Sequence, residues 1–114
     1  MSPEVRLPRA WLAGALVACI APMSGAVLAV DAVDEGWKFF SQGTTPPCAL
    51  CHTLADAQAT GNVGPSLDEM KPEAARVAQV VRTGLGAMPP YPQLSDADVR
   101  RLAEYVAKAS RGER

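Results

Sequence analysis

The chain has 114 residues, with 11 Lys plus Arg against 12 Asp plus Glu and a formal charge of −1. That length holds one small domain, and the charge balance offers no basic footprint for nucleic acid. Two each of Trp, Tyr and Phe are little with which to fill a core, so such a domain needs a disulfide, a metal or some other added constraint.

The first 29 residues read as a targeting segment. Arg6 and Arg9 form a positive n-region, Ala10 to Ala21 an apolar h-region, and Val27-Leu28-Ala29 an A-x-A-like site. Cleavage is expected after Ala29, which would deliver residues 30–114 to the periplasm. Leu16-Val17-Ala18-Cys19 also resembles the box at which a bacterial lipoprotein is cut and acylated, and would anchor the domain through Cys19. The residues after Cys19 stay apolar, where a lipoprotein has a polar tether, and this favours soluble export. Beyond Ala29 nothing is long and apolar enough to cross a membrane, and nine basic against eleven acidic residues make the domain mildly acidic.

Val33, Gly36, Trp37 and Phe40 predict a helix from about Ala32 to Ser41, capped by Asp31 and stopped near Gly43. Thr44-Thr45-Pro46-Pro47 then makes a rigid, donor-poor lead into Cys48-Ala49-Leu50-Cys51-His52. C-x-x-C-H is the attachment signature of a c-type haem. Two thiols three apart project to one side of a helical turn and can add to the two vinyl groups, while the adjacent imidazole comes under the ring to ligate iron. C-x-x-C also serves thioredoxin-like dithiols and structural zinc sites. Beyond the leader, however, Cys48, Cys51 and His52 are the whole Cys and His complement, too few for a four-ligand zinc site. No convincing strand accompanies the motif, as a thioredoxin-like fold would require.

Leu54 to Met70 read as a long connection. Its run Gly61-Asn62-Val63-Gly64-Pro65-Ser66-Leu67 permits turns and close backbone approach. A ligating imidazole donates its other N–H to a supporting acceptor; the Pro65 carbonyl could be that acceptor, or the run could be an ordinary surface loop. A second helix is predicted over Pro72 to Thr83, with Pro72 at its first position, Gly84 past its end, and Ala74, Val77, Ala78 and Val81 facing inward. In the loop that follows, glycines precede Met88 and prolines follow it. Pro89 keeps Met88 out of helical geometry and leaves its thioether free to point inward as a sixth ligand. Met70 is the competing thioether, and it could equally fill core space. The last helix starts at Ser95, with Asp98 three residues on and Leu94 and Val99 placed as a hydrophobic staple. Val99, Leu102, Ala103 and Val106 form its buried stripe, and Ser110 to Arg114 are expected to fray.

On these residues the chain beyond the leader resembles the small bacterial class I c-type cytochromes, over essentially its whole length. The matching positions are the Cys48–His52 motif, Gly64-Pro65-Ser66-Leu67, Met88-Pro89, Gly36 and Phe40, and Leu102 with Tyr105-Val106. The resemblance implies an all-α cytochrome c fold, with three main helices and loops wrapped around one covalently bound haem c. It puts Gly36 and Phe40 where the terminal helices cross, with Tyr105 as aromatic partner. It makes the Pro65 carbonyl the group that orients the imidazole, and Met88 rather than Met70 the distal ligand. With His52 and Met88 both on iron no position is open, and the thioether raises the potential. The protein is then expected to be a one-electron carrier and not an enzyme. The competing readings are a ligand sensor or peroxidase-like haem with a labile Met88, and a non-haem dithiol protein.

The run from Cys48 through Leu67, with Thr53-Leu54-Ala55-Asp56, is further similar to the cytochrome subunits of periplasmic sulfite dehydrogenases. The expected partners are therefore redox proteins. A dehydrogenase, molybdenum-dependent and sulfite-oxidising on that resemblance, would be the donor, and a terminal oxidase or another cytochrome the acceptor. The domain would serve as a free shuttle or as a bound subunit. Pro46, Pro47, Ala49, Leu50 and the run from Met88 to Tyr91 carry no formal charge and read as an apolar docking patch.

Overall fold

The computed structural model describes Gly14 and residues 27–113; Cys19 and nearly all of the expected leader lie outside the described residues. α1 spans Val27–Ser41, so it starts ahead of the expected Ala32 and Asp31 falls within it instead of capping it. Val33, Trp37 and Phe40 still pack into the core, as their helical spacing predicts. The helix stops where the N–H groups of Gln42 and Gly43 both return to the Lys38 carbonyl, at 2.9 and 2.8 Å.

The haem-type motif forms a single helical turn, α2 (Cys48–Cys51). The segment after it corrects the strandless reading of the sequence. β1 (Thr53–Leu54) and β2 (Ala59–Thr60) pair antiparallel, Thr53 opposite Thr60 and Leu54 opposite Ala59. A 3₁₀ turn over Ala55–Ala57 and a left-handed Gln58, φ 53°, connect them. Strands of two residues carry no readable alternation; this hairpin is held by burial of Leu54 and Ala59. α3 (Leu67–Met70) adds another turn to what had been expected to be an open connection. α4 spans Ala74–Thr83 with Glu73 at its cap position, so Pro72 lies before the helix, buried.

α5 (Asp96–Ala109) begins where its capping pattern predicts. The Asp98 N–H donates to Ser95 Oγ at 3.1 Å, and the Ser95 N–H donates to the Asp98 carboxylate at 3.3 Å. Its buried face packs on α1 and α4. At the α1–α5 crossing Gly36 has no room for a side chain: a Cβ there would lie 2.9 Å from the Arg101 carbonyl oxygen and collide with the Tyr105 side chain. The Phe40 and Tyr105 rings meet with centroids 6.2 Å apart at 59°, within the range of favourable tilted aromatic pairs. The Tyr105 hydroxyl donates to Asp56 at 2.6 Å, tying α5 to the 3₁₀ turn.

The end of the chain is fastened where fraying was expected. Ser110 is buried, and the Arg111 guanidinium donates to the carbonyls of Lys71, Pro72 and Ala107 at 2.7–3.0 Å and to Glu73 at 2.6 Å. Five fixed donors on one planar group let a single side chain bind several acceptors at once. The result is the expected all-α architecture of three main helices, α1, α4 and α5, with one minimal hairpin added. Among the described residues no helix is long and apolar enough to cross a membrane.

Candidate functional site

A cavity of about 370 Å³ opens among α2, α4, α5 and the loop after α4. Cys48, Cys51, His52, Pro65 and Met88, the five site residues expected from the sequence, all line it. The rest of the wall is mostly apolar, with Phe40, Leu67, Val81, Leu102 and Val106 reaching it from the core and Arg76 as its charged exception.

α2 ends at His52, whose backbone N–H caps the Cys48 carbonyl at 3.0 Å before the chain turns extended. The imidazole Nδ1 lies 2.8 Å from the Pro65 carbonyl oxygen. A carbonyl only accepts, so Nδ1 donates and the lone pair is left on Nε2, the form in which histidine binds a metal. The glycines of the following loop make that contact possible. Gly64 donates to the Cys51 carbonyl at 2.7 Å, and a Cβ on it would sit 2.5 Å from His52 Cε1. At Gly61 a Cβ would come within 2.6 Å of the Cys51 carbonyl carbon, and the Thr53 hydroxyl fastens the Gly61 carbonyl at 2.8 Å.

The thiols sit differently. Cys48 is buried and Cys51 half-buried. Burial pushes the Cys48 thiol above its ordinary pKa, with the Thr44 side chain, 3.7 Å from Sγ, pulling part of the way back.

Both thioethers weighed from the sequence line the cavity. Met70 is 51% exposed, whereas Met88 is half-buried and packs against the core. The loop holding Met88 is closed on itself: Leu85 and Met88 exchange reciprocal backbone hydrogen bonds of 3.0 Å. Gly84 precedes it at φ 71°, where a Cβ would meet the Met88 carbonyl oxygen at 2.8 Å. At the far end Tyr91 is 4% exposed. Its N–H donates to the Val81 carbonyl at 2.8 Å, and its hydroxyl donates to the Pro46 carbonyl at 2.8 Å.

A family model described as cytochrome c oxidase, cbb3-type, subunit III matches residues 31–106. The crystal structure of the c-type cytochrome SorU from Sinorhizobium meliloti aligns at 45% identity and a TM-score of 0.70, over 74% of this chain and 95% of that one. The chain belongs to the c-type cytochromes. No curated protein matches it. As a c-type cytochrome it has the cytochrome c fold, carries covalently bound haem c and transfers electrons without being an enzyme itself. The cleft fits that group on its own chemistry. Two thiols and an imidazole with its proton fixed on the outer nitrogen stand beside a deep apolar wall, which is what thioether attachment and axial ligation of a flat hydrophobic macrocycle require.

The residues that read as an apolar docking patch divide between surface and interior. Leu50 is 62% exposed and Pro89 and Pro90 are exposed, but Tyr91 is buried and Met88 turns inward. Three residues of the site were not expected from the sequence. The Thr44 hydroxyl lies 3.1 Å from the Pro46 carbonyl as well as near Cys48, the Tyr91 hydroxyl reaches that same carbonyl, and Arg76 is the wall's cation. Only Tyr91 had a legible signal, a phenol set among prolines whose hydroxyl must find a partner once the ring is buried.

Proposed function

We propose that this cytochrome is a periplasmic one-electron carrier with a single haem c, attached through Cys48 and Cys51 and ligated by His52 and Met88. The observation that carries the reading is the 2.8 Å contact between His52 Nδ1 and the Pro65 carbonyl, which leaves the Nε2 lone pair available at a wall shared with both thiols. Bound haem supplies a ferric/ferrous couple that takes up and releases one electron. Around it this chain's residues have limited, definable tasks. Cys48 and Cys51 would hold the group, and His52, oriented by Pro65, would supply a nitrogen to its iron. Met88 would supply a neutral thioether, which favours the ferrous state and would compete with oxygen or peroxide for the iron. The apolar wall keeps water away and raises the cost of the extra positive charge in the oxidised form.

The targeting segment supports export, with cleavage after Ala29, and the resemblance of residues 48–67 to sulfite dehydrogenase cytochromes supports a molybdenum sulfite-oxidising donor. A terminal oxidase or a second cytochrome would be the acceptor. The optical spectrum of the purified oxidised and reduced protein tests the ligand set. Sharp reduced c-type bands with a weak near-red iron–sulfur band, lost in Met88→Ala and kept in Met70→Leu, are the expected result. Loss of that band in Met70→Leu instead would move the ligand to Met70, and its absence from the wild type would mean an open or differently ligated iron. Size-exclusion of a native extract tests the role: co-elution with a dehydrogenase supports a bound subunit, and elution as the free monomer supports a shuttle.

A further inference from the structure

The loop from Gly84 to Tyr91 is tied to itself through the Leu85–Met88 pair and to α4 through the Tyr91 N–H on the Val81 carbonyl. Neither contact joins it to the segment that carries the thiols and the imidazole. The Tyr91 hydroxyl does, by donating at 2.8 Å to the Pro46 carbonyl, 45 residues away in sequence. The acceptor rides on a stiff support, because Pro46 is followed by Pro47, the residue at the N-cap of α2. The ring beneath the hydroxyl is buried and lines the cavity, so the bond forms where water competes poorly.

On the reading that Met88 ligates the iron, on which this inference rests, we propose that Tyr91 is a positioning residue for Met88: its hydroxyl latches the Met88 loop to the Cys48–His52 segment and keeps the distal side closed. The latch acts on a population. An external ligand reaches the distal side only from an open-loop state, and its apparent Kd is the intrinsic Kd divided by the open fraction. One net hydrogen bond holds that fraction down. Removing the hydroxyl strands nothing, because the Pro46 carbonyl keeps the Thr44 hydroxyl at 3.1 Å and the Tyr91 backbone bond to Val81 is untouched.

The test is titration of the oxidised holoprotein with imidazole, in the wild type, Tyr91→Phe and Tyr105→Phe, with the near-red band followed in the same samples. Tyr105→Phe is the control: it also removes a buried tyrosine hydroxyl, the one donating to Asp56 at 2.6 Å, at a place outside the cavity wall. Tyr91→Phe is expected to fold, to keep its near-red band at neutral pH, and to bind imidazole roughly fivefold more tightly than the wild type, while Tyr105→Phe binds as the wild type does. Unchanged imidazole affinity in Tyr91→Phe would overturn the latch. An equal gain in Tyr105→Phe would overturn it too, since general loosening would then explain the effect. So would a Tyr91→Phe chain that fails to fold, because the loss of one latching bond predicts a folded protein. A wild type without the near-red band would instead remove the Met88 reading, a result separate from any difference between the variants.

Discussion

Gly64 and Tyr91 show how single residues set this site. At Gly64 the side chain must be absent, because the His52 imidazole occupies the space a Cβ would need, with Cε1 2.5 Å and Nδ1 2.8 Å away. Gly64→Ala therefore has to push the ring off the Pro65 carbonyl or move the loop, and is expected to cost about 1–3 kcal/mol, the usual range for overpacking; denaturant unfolding of the holoprotein measures it. At Tyr91 the hydroxyl must stay protonated to donate. Burial raises its pKa. A group whose folded pKa is raised contributes stability that is complete below its unfolded value, about 10 for tyrosine, and that is lost as pH rises through the folded value. The stability difference between wild type and Tyr91→Phe should thus be flat across neutral pH and vanish only in strong alkali, as paired unfolding curves at several pH values would show. A difference that disappeared near neutrality would contradict the assignment.

Among the elements, α5 is the one whose local sequence and tertiary role agree most fully. Its capping box closes as the Ser95 and Asp98 spacing predicts, and Ser95→Ala is expected to lower stability by about 1 kcal/mol, read as a fall in Tm with the haem spectrum unchanged. The stripe of Val99, Leu102, Ala103 and Val106 is buried, as its spacing requires. Two of the shortest elements behaved otherwise. α3 and the β1–β2 hairpin are too brief to show a period, and they form because Leu54, Ala59 and Leu67 bury into the core while Asp68 accepts the Ala55 N–H at 2.8 Å. Ser110 and Arg111 depart from the expected frayed tail for a related reason. Arg111 looks like one more solvent charge in sequence, and its acceptors on Lys71, Pro72 and Glu73 lie some forty residues earlier in the chain.

At the scale of the whole molecule the core is small and opens into the cleft. Phe40, Leu54, Leu102 and Val99 are its largest fully buried side chains, and two of them, Phe40 and Leu102, also face the cavity. A domain of this size holds little stability in reserve, so the group that fills the cleft completes the core as well as carrying the electron. Cys48→Ala combined with Cys51→Ala is accordingly expected to leave a largely disordered chain. Far-ultraviolet circular dichroism decides the matter: native-like helical signal in that double variant would show that the fold stands without its haem. The mild acidity of residues 30–114, about −2 from nine basic and eleven acidic side chains, implies little electrostatic steering, so association with a redox partner should depend only weakly on salt.

Sequence alone determined what rests on adjacency and on period. The Cys48–His52 motif names its cofactor because attachment chemistry needs those groups next to one another. The three main helices follow from apolar spacing and caps, whereas at Pro65 the spacing left an ordinary loop equally open and the family resemblance singled out the carbonyl. Only the tertiary structure decided which distant groups meet. It brought His52 Nδ1 to 2.8 Å from Pro65, separated half-buried Met88 from half-exposed Met70 on one cavity wall, turned Tyr91 from a surface residue into a buried donor to Pro46, and fastened the tail through Arg111. Each of these contacts spans at least a dozen residues of chain or depends on burial, and burial is settled by packing the whole domain, which no local window of sequence contains.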